Sequence, residues 1–226
     1  MRPYLLQLLA ACFVLLALTS CSNDPTRTYV LTAGVEKAAA TAPGGIAVEV
    51  GPVSLPAYLD RPQIVTRTAP NSVVQADLDQ WGGSLNDNIV RVLASNLSNF
   101  LMTDRVSLYP SQDGAAADFQ VILNIEKFEE QPDGHTVLDT FWSLADPLSG
   151  KVLVTRRSSY QAADGSARTG HSAATGRPYD SVAAAMSRNL DDLSRDIGYS
   201  AQGGNNFCLW AAFLNPIINH LCIKGE

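Results

Sequence analysis

Phe119-Gln-Val-Ile-Leu-Asn-Ile125, Thr136-Val-Leu-Asp-Thr-Phe-Trp-Ser-Leu144 and Lys151-Val-Leu-Val-Thr-Arg-Arg-Ser-Ser-Tyr160 are three runs of strand chemistry. Phe119, Val121, Leu123 and Ile125 alternate with polar or outward positions, which is the period of a half-buried strand. Pro132-Asp133-Gly134 separates the first run from the second, and Asp146-Pro147-Leu148-Ser149-Gly150 separates the second from the third. Pro, Asp and Gly supply the backbone angles of tight turns. Three strands joined by two tight turns predict an antiparallel meander.

A helix is predicted on either side of this meander. Upstream, Leu85, Ile89, Val92, Leu93, Leu97, Phe100 and Leu101 recur at helical spacing. Ser84 sits where an N-cap belongs, and Asp87 lies near the positive end of the helix dipole. Downstream, a second helix is predicted from near Asp180, with an apolar line of Val182, Met186, Leu190, Leu193 and Ile197. Further towards the N-terminus, Thr28–Thr32, Ile46–Val53 and Ile64–Arg67 read as strands, and Val106–Tyr109 as a short one stopped by Pro110. Residues 33–45 are rich in Ala, Gly, Pro and Thr and read as a flexible loop. Strands, helix, strands, helix is the order of an α+β fold, with a mostly antiparallel sheet and two main helices packed on one face.

The N-terminus carries a different signal. Arg2 precedes an almost wholly apolar run from Tyr4 to Leu18, and Leu18-Thr19-Ser20-Cys21 follows. A charged start, a short apolar core and small residues at the exit describe a secretory signal peptide. The run is shorter than the roughly 20 residues a membrane span needs. Leu18-Thr19-Ser20-Cys21 resembles the bacterial lipobox, which implies cleavage before Cys21, a diacylglyceryl group on its thiol, and an acyl chain such as palmitate on its freed amine. Two or more acyl chains hold a protein firmly on its membrane. The predicted organisation is therefore a signal peptide over 1–20, a lipidated tether with a short strand and flexible loop over 21–45, an α+β domain over 46–200, and an apolar tail over 201–226.

Charge and motifs narrow the function. Cleavage would remove Arg2 from the 16 basic residues and leave the 22 acidic ones, a net charge of −7. That balance argues against nucleic acid, whose binders carry basic patches, and against electrostatic attachment to anionic lipid. The sequence has no Gly-x-Ser-x-Gly, His-Glu-x-x-His, Cys-x-x-Cys, P-loop or Gly-x-Gly-x-x-Gly motif. His135 falls in a predicted turn, His171 in a Gly/Ser/Ala/Thr-rich loop and His220 in the tail, with no ligand spacing among them. Asp77/Asp79, Glu129/Glu130 and Asp191/Asp192 read as solvated faces or turns. The expectation is a protein that is not an enzyme, with no metal and no cofactor.

The densest local signature is Gly51-Pro-Val-Ser-Leu-Pro-Ala-Tyr-Leu-Asp-Arg-Pro-Gln-Ile-Val-Thr-Arg67. Asp60-Arg61-Pro62 makes a polar corner between two strands, and Pro62 holds Arg61 extended. Together with Tyr29-Val-Leu, Trp81, Asn88-Ile-Val-Arg-Val-Leu-Ala-Ser-Asn-Leu97 and Tyr109-Pro110, this segment resembles the PqiC-type auxiliary lipoproteins of ABC transport systems. The resemblance covers roughly residues 28–197. It implies an outer-membrane lipoprotein partner of an MCE-family periplasmic protein, acting in lipid transport between the two membranes and in membrane integrity. It also implies a homo-oligomeric ring around the partner's tip. Ser22, in place of the Asp that retains enteric lipoproteins at the inner membrane, agrees with the periplasmic face of the outer membrane. Tyr58, Asp60, Arg61, Gln63 and Arg67 are the candidate partner-binding residues on this Pro-stiffened scaffold. The rival readings are a ring-forming lipoprotein of another envelope export system and a small-ligand-binding lipoprotein, which would need a deep apolar pocket.

The tail departs from that family's pattern, whose members usually end soon after the second helix. Phe207 to Ile223 carries Leu209, Trp210, Phe213, Leu214, Ile217, Ile218 and Leu221. Three readings stand: a hairpin closed by a Cys208–Cys222 disulfide across thirteen residues, an apolar patch for a partner or membrane, or an artefact of gene-end assignment.

Overall fold

The computed structural model describes residues 25–34, 45–111, 117–163 and 179–203. Cys21, Cys208, Cys222, His171 and His220 lie outside the described residues. Eight strands and two helices are described: β1 (Arg27–Tyr29), β2 (Val48–Ser54), β3 (Gln63–Ala69), β4 (Ser72–Trp81), α1 (Leu85–Phe100), β5 (Val106–Leu108), β6 (Phe119–Glu130), β7 (His135–Ala145), β8 (Val152–Ala163) and α2 (Asp180–Ala201).

The meander forms as its turns predict. β6, β7 and β8 pair antiparallel over nearly their whole lengths. Gln131 N donates to His135 O at 2.7 Å, and Gly134 takes a φ of +79°, the left-handed angle that the turn needs. The other edge of β6 is shared. Its first half pairs parallel with β2, which carries β5 parallel beyond it. Its far end meets β3 at Thr66 and Glu130, and β3 carries β4 antiparallel and then β1 parallel.

The sheet is thus mixed, which corrects the expectation of a mostly antiparallel one. Four of its contacts are parallel: β1 with β4, β2 with β5 and β6, and β3 with β6. The physical reason is the crossover. Parallel neighbours cannot be joined by a tight turn, and β2 reaches β5 only after the β3–β4 hairpin and α1. Turn residues announce hairpins, but nothing local announces a crossover partner. β4 itself escapes the strand pattern, because Ser72, Gln75, Asp77, Asp79 and Gln80 break its apolar alternation.

Both helices form where their stripes predict. Ser84 Oγ accepts from Asp87 N at 3.0 Å and caps α1. Leu85, Ile89, Val92, Leu93 and Leu97 of α1 are buried, as are Val182, Met186, Leu190, Leu193 and Ile197 of α2. Each such side chain contributes roughly 1.5–3 kcal/mol relative to exposure. Gly198 lets α2 approach α1 closely, since a Cβ there would run into the Phe100 ring. Phe100 and Tyr199 then stack edge to face, with ring centroids 4.8 Å apart.

The chain after β1 is tied to both helices. Leu31 N and Gly34 N donate to Asn88 Oδ1 and Asn96 Oδ1 of α1, and Thr32 N donates to Ser187 Oγ of α2. Asn96 Nδ2 also donates to Ser194 Oγ across the two helices, at 3.3 Å. These buried polar side chains capture backbone donors that would otherwise be lost from water. No described helix is long and apolar enough to cross a membrane.

Candidate docking surface

Leu55-Pro56-Ala57-Tyr58-Leu59-Asp60-Arg61-Pro62 joins β2 to β3 as a tight corner. Leu59 N and Asp60 N both donate to Pro56 O, at 2.9 and 3.3 Å, and Arg61 N donates to Leu59 O at 2.9 Å. Leu59 plugs the corner into the core at 2 % exposure. Trp81 N donates to Pro62 O at 2.8 Å and ties the corner to the end of β4. Asp60 is left exposed at the tip, while Arg61 and Gln63 are half-buried.

Tyr58 and Arg67, grouped with these by sequence, turn inward instead. A bulge in β6 between Ile125 and Lys127 shifts the strand's phase by one residue. Phe128 therefore enters the core, and Glu129 moves to the face of β6 away from the helices. Glu129 is nonetheless fully buried. Arg67 Nε lies 2.9 Å from Glu129 Oε1, and Tyr58 OH donates to Oε2 at 3.0 Å. Phe128 N also donates to Oε2, at 2.9 Å. Burial, and then the adjacent Glu129 charge, push the Tyr58 phenol from 10.0 up to about 12. The bond to Glu129 raises the Arg67 guanidinium further above its already high value. Arg67 also lies 6.0 Å from the Tyr58 ring centroid. This cluster braces the corner from beneath.

A second buried carboxylate does the same at the other edge. Asp79 of β4, 4 % exposed, takes a bidentate pair from Arg27 at 2.6 and 2.7 Å and a bond from Tyr29 OH at 2.7 Å. Burial, and then the bond to Asp79, raise the Tyr29 phenol to about 12. Asp79 and Glu129 thus correct the reading of their acidic pairs as solvated. Asp77 is exposed as expected. Sequence reasoning missed both clusters because their partners lie 50 to 71 residues away.

At the corner lies a shallow depression of about 330 Å³ lined by Asp60, Arg61, Pro62, Trp81, Gly83 and Ser84. Arg61 Nε is buried beside it with no hydrogen-bond partner among the described residues. A buried N–H without an acceptor costs stability, and a carboxylate or carbonyl from outside would satisfy it. The apolar parts of Pro62 and Trp81 stand beside that donor. The structure therefore brings Asp60, Arg61 and, next to them, Gln63 together at the surface, and places Tyr58 and Arg67 beneath. Among the described residues no three His, Cys, Asp or Glu side chains gather as metal ligands.

A model of the family described as the ABC-type transport auxiliary lipoprotein component matches residues 29–198. Among solved structures, protein XCC0632 from Xanthomonas campestris is similar at a TM-score of 0.61 and 15 % identity, covering 80 % of this chain and 98 % of that one. A second, described only as an uncharacterized protein, is similar at a TM-score of 0.60 and 18 % identity, covering 78 % of this chain and 99 % of that one. Identities this low speak for the fold alone. No curated protein matches this sequence.

Proposed function

Since the chain belongs to the family of ABC-type transport auxiliary lipoproteins, we propose that it is a non-catalytic adaptor that docks a periplasmic MCE-family protein. Acylated Cys21 holds it at the periplasmic face of the outer membrane. Copies arranged as a ring grip the tip of the partner, and the assembly serves lipid transport between the membranes. The observation that carries this reading is the braced corner with its unsatisfied Arg61 Nε beside Trp81. A corner held by Leu59, two prolines and a buried ion cluster loses little conformational freedom on binding. The buried donor gives an incoming acceptor something to complete.

The test is a crosslinking pull-down from the envelope with tagged wild-type protein, a Cys21→Ala control and an Arg61→Glu variant. The wild type should recover an MCE-domain protein, and both variants should recover much less of it. Arg61→Glu should keep the wild-type circular dichroism spectrum. Recovery of a different secretion component in place of any MCE protein would refute the docking partner. Unfolding of Arg61→Glu would show that the corner is structural.

A further inference from the structure

The two helices end together. Asn96 faces Ser194 and Phe100 faces Gly198, so α1 and α2 run parallel. Both close on a residue in the left-handed region, Met102 at a φ of +53° and Gly203 at +92°. After α1, Met102 N donates to Asn99 O at 3.3 Å and Thr103 N to Ser98 O at 3.0 Å. After α2, Gly203 N donates to Ser200 O at 3.4 Å. Glycine suits such an end, because a Cβ is strained there. Met102 is the one described non-glycine residue with a positive φ.

The strained residue is also a large apolar one held out to solvent. Met102 is 50 % exposed. At the same end of the helix pair Tyr199 is 38 % exposed, and Phe100, stacked on it, is half-buried. Neither helix carries a basic residue in its last turn, the place where the helix dipole favours one. The two helix ends therefore present apolar surface instead of charge. Strain kept at an exposed side chain points to a use for that side chain.

The chain itself supplies an occupant. The apolar tail starts here, immediately after Gly203, whose left-handed φ turns the backbone back across the end of α2. Phe207 stands four residues past Gly203, a reach of up to about 13 Å. Tyr199 lies only about 6 Å back along the helix axis. Residues 207–223 contain no Asp, Glu, Lys or Arg, which matches the uncharged helix ends. They are seventeen residues interrupted by Pro216, too short a run to span a bilayer as a helix.

We infer that the tail folds back on its own domain, and that Met102, Phe100 and Tyr199 at the paired helix ends are its seat. The tail then covers the exposed apolar side chains of both helices. Met102 holds its strained conformation because its side chain contributes to that contact. The inference goes beyond the adaptor reading and can fail while MCE docking stands.

The test places a photoreactive benzoylphenylalanine at Met102 of the full-length lipoprotein in intact envelopes. A control carries it at Leu148, 86 % exposed in the β7–β8 turn. Illumination followed by peptide mapping should show a link within the chain from position 102 to residues 204–226, and little of it from position 148. A link from position 102 to another protein or to lipid would overturn the proposal, as would an intrachain yield no higher than that of the control. Met102→Gly supplies a second reading, since it removes the side chain and relaxes the backbone together. That variant should keep the wild-type circular dichroism spectrum, while chymotrypsin should cut at Phe207 and Trp210 about tenfold faster, because losing one apolar contact raises the open population of the tail. An unchanged cleavage rate would equally overturn the proposal. The envelope pull-down reads MCE capture separately from both.

Discussion

Replacing Arg67 with Ala tests whether the residue braces the corner or faces a partner. Glu129 has 0 % and Arg67 16 % of its side chain exposed, so this ion pair belongs with buried ones. Removing one member of a buried pair costs about 3–5 kcal/mol, because the other charge is left uncompensated. Here Glu129 Oε2 keeps its bonds from Tyr58 OH and Phe128 N, and Oε1 keeps only a long contact to Gln131 at 3.5 Å. Those survivors place the expected loss near the lower end, about 3 kcal/mol. For a domain of this size each kcal/mol moves the midpoint by about 2–4 °C, so Tm should fall by about 6–12 °C. Urea denaturation followed by circular dichroism measures the same loss. Neutralising both partners, Arg67→Met with Glu129→Gln, removes the stranded charge. The double variant should then recover part of the loss, with a coupling energy of about 1–3 kcal/mol. An Arg67→Ala loss below about 1 kcal/mol, the range of an exposed pair, together with lost partner capture, would refute the bracing role and return Arg67 to the docking surface.

Gly198→Ala should destabilise by about 1–2 kcal/mol in thermal denaturation, because overpacking against Phe100 outweighs the helix-propensity gain of about 1 kcal/mol; a stabilised variant would refute the tight helix contact. Asn96→Ala should cost about 1–3 kcal/mol by leaving Gly34 N without its acceptor, and limited proteolysis should then cut near residues 31–34 before the domain unfolds. Wild-type resistance in that variant would show that residues 31–34 are held otherwise. The neutral Tyr29 and Tyr58 phenols favour the folded state, since both are raised from 10.0 to about 12. Their contribution is whole below pH 10 and is lost as pH rises towards 12. Stability measured across that window should fall with tyrosinate formation, and tyrosines that ionise near 10 without loss of stability would refute the burial of these groups.

What the sequence by itself determined follows from short-range physics. α1 and α2 were legible because an apolar face recurs every three to four residues, and Ser84 marks a start that the backbone must cap. The meander was legible because Pro132–Gly134 and Asp146–Gly150 can do little except turn. The corner at Asp60-Arg61-Pro62 was legible for the same reason, since Pro62 fixes the backbone on both sides of it. Tertiary structure alone decided the rest. β4 forms despite a polar sequence because Asp79 is neutralised by Arg27, 52 residues earlier. The bulge at Glu126 turns Glu129 to the other face of β6, where Arg67 and Tyr58 enclose it, and this divides the five candidate docking residues into exposed and buried sets. The parallel pairing of β2 with β5 and β6 depends on a crossover through α1. Contacts of this kind carry no local signature, because the residues that stabilise each other are brought together only when the chain has folded.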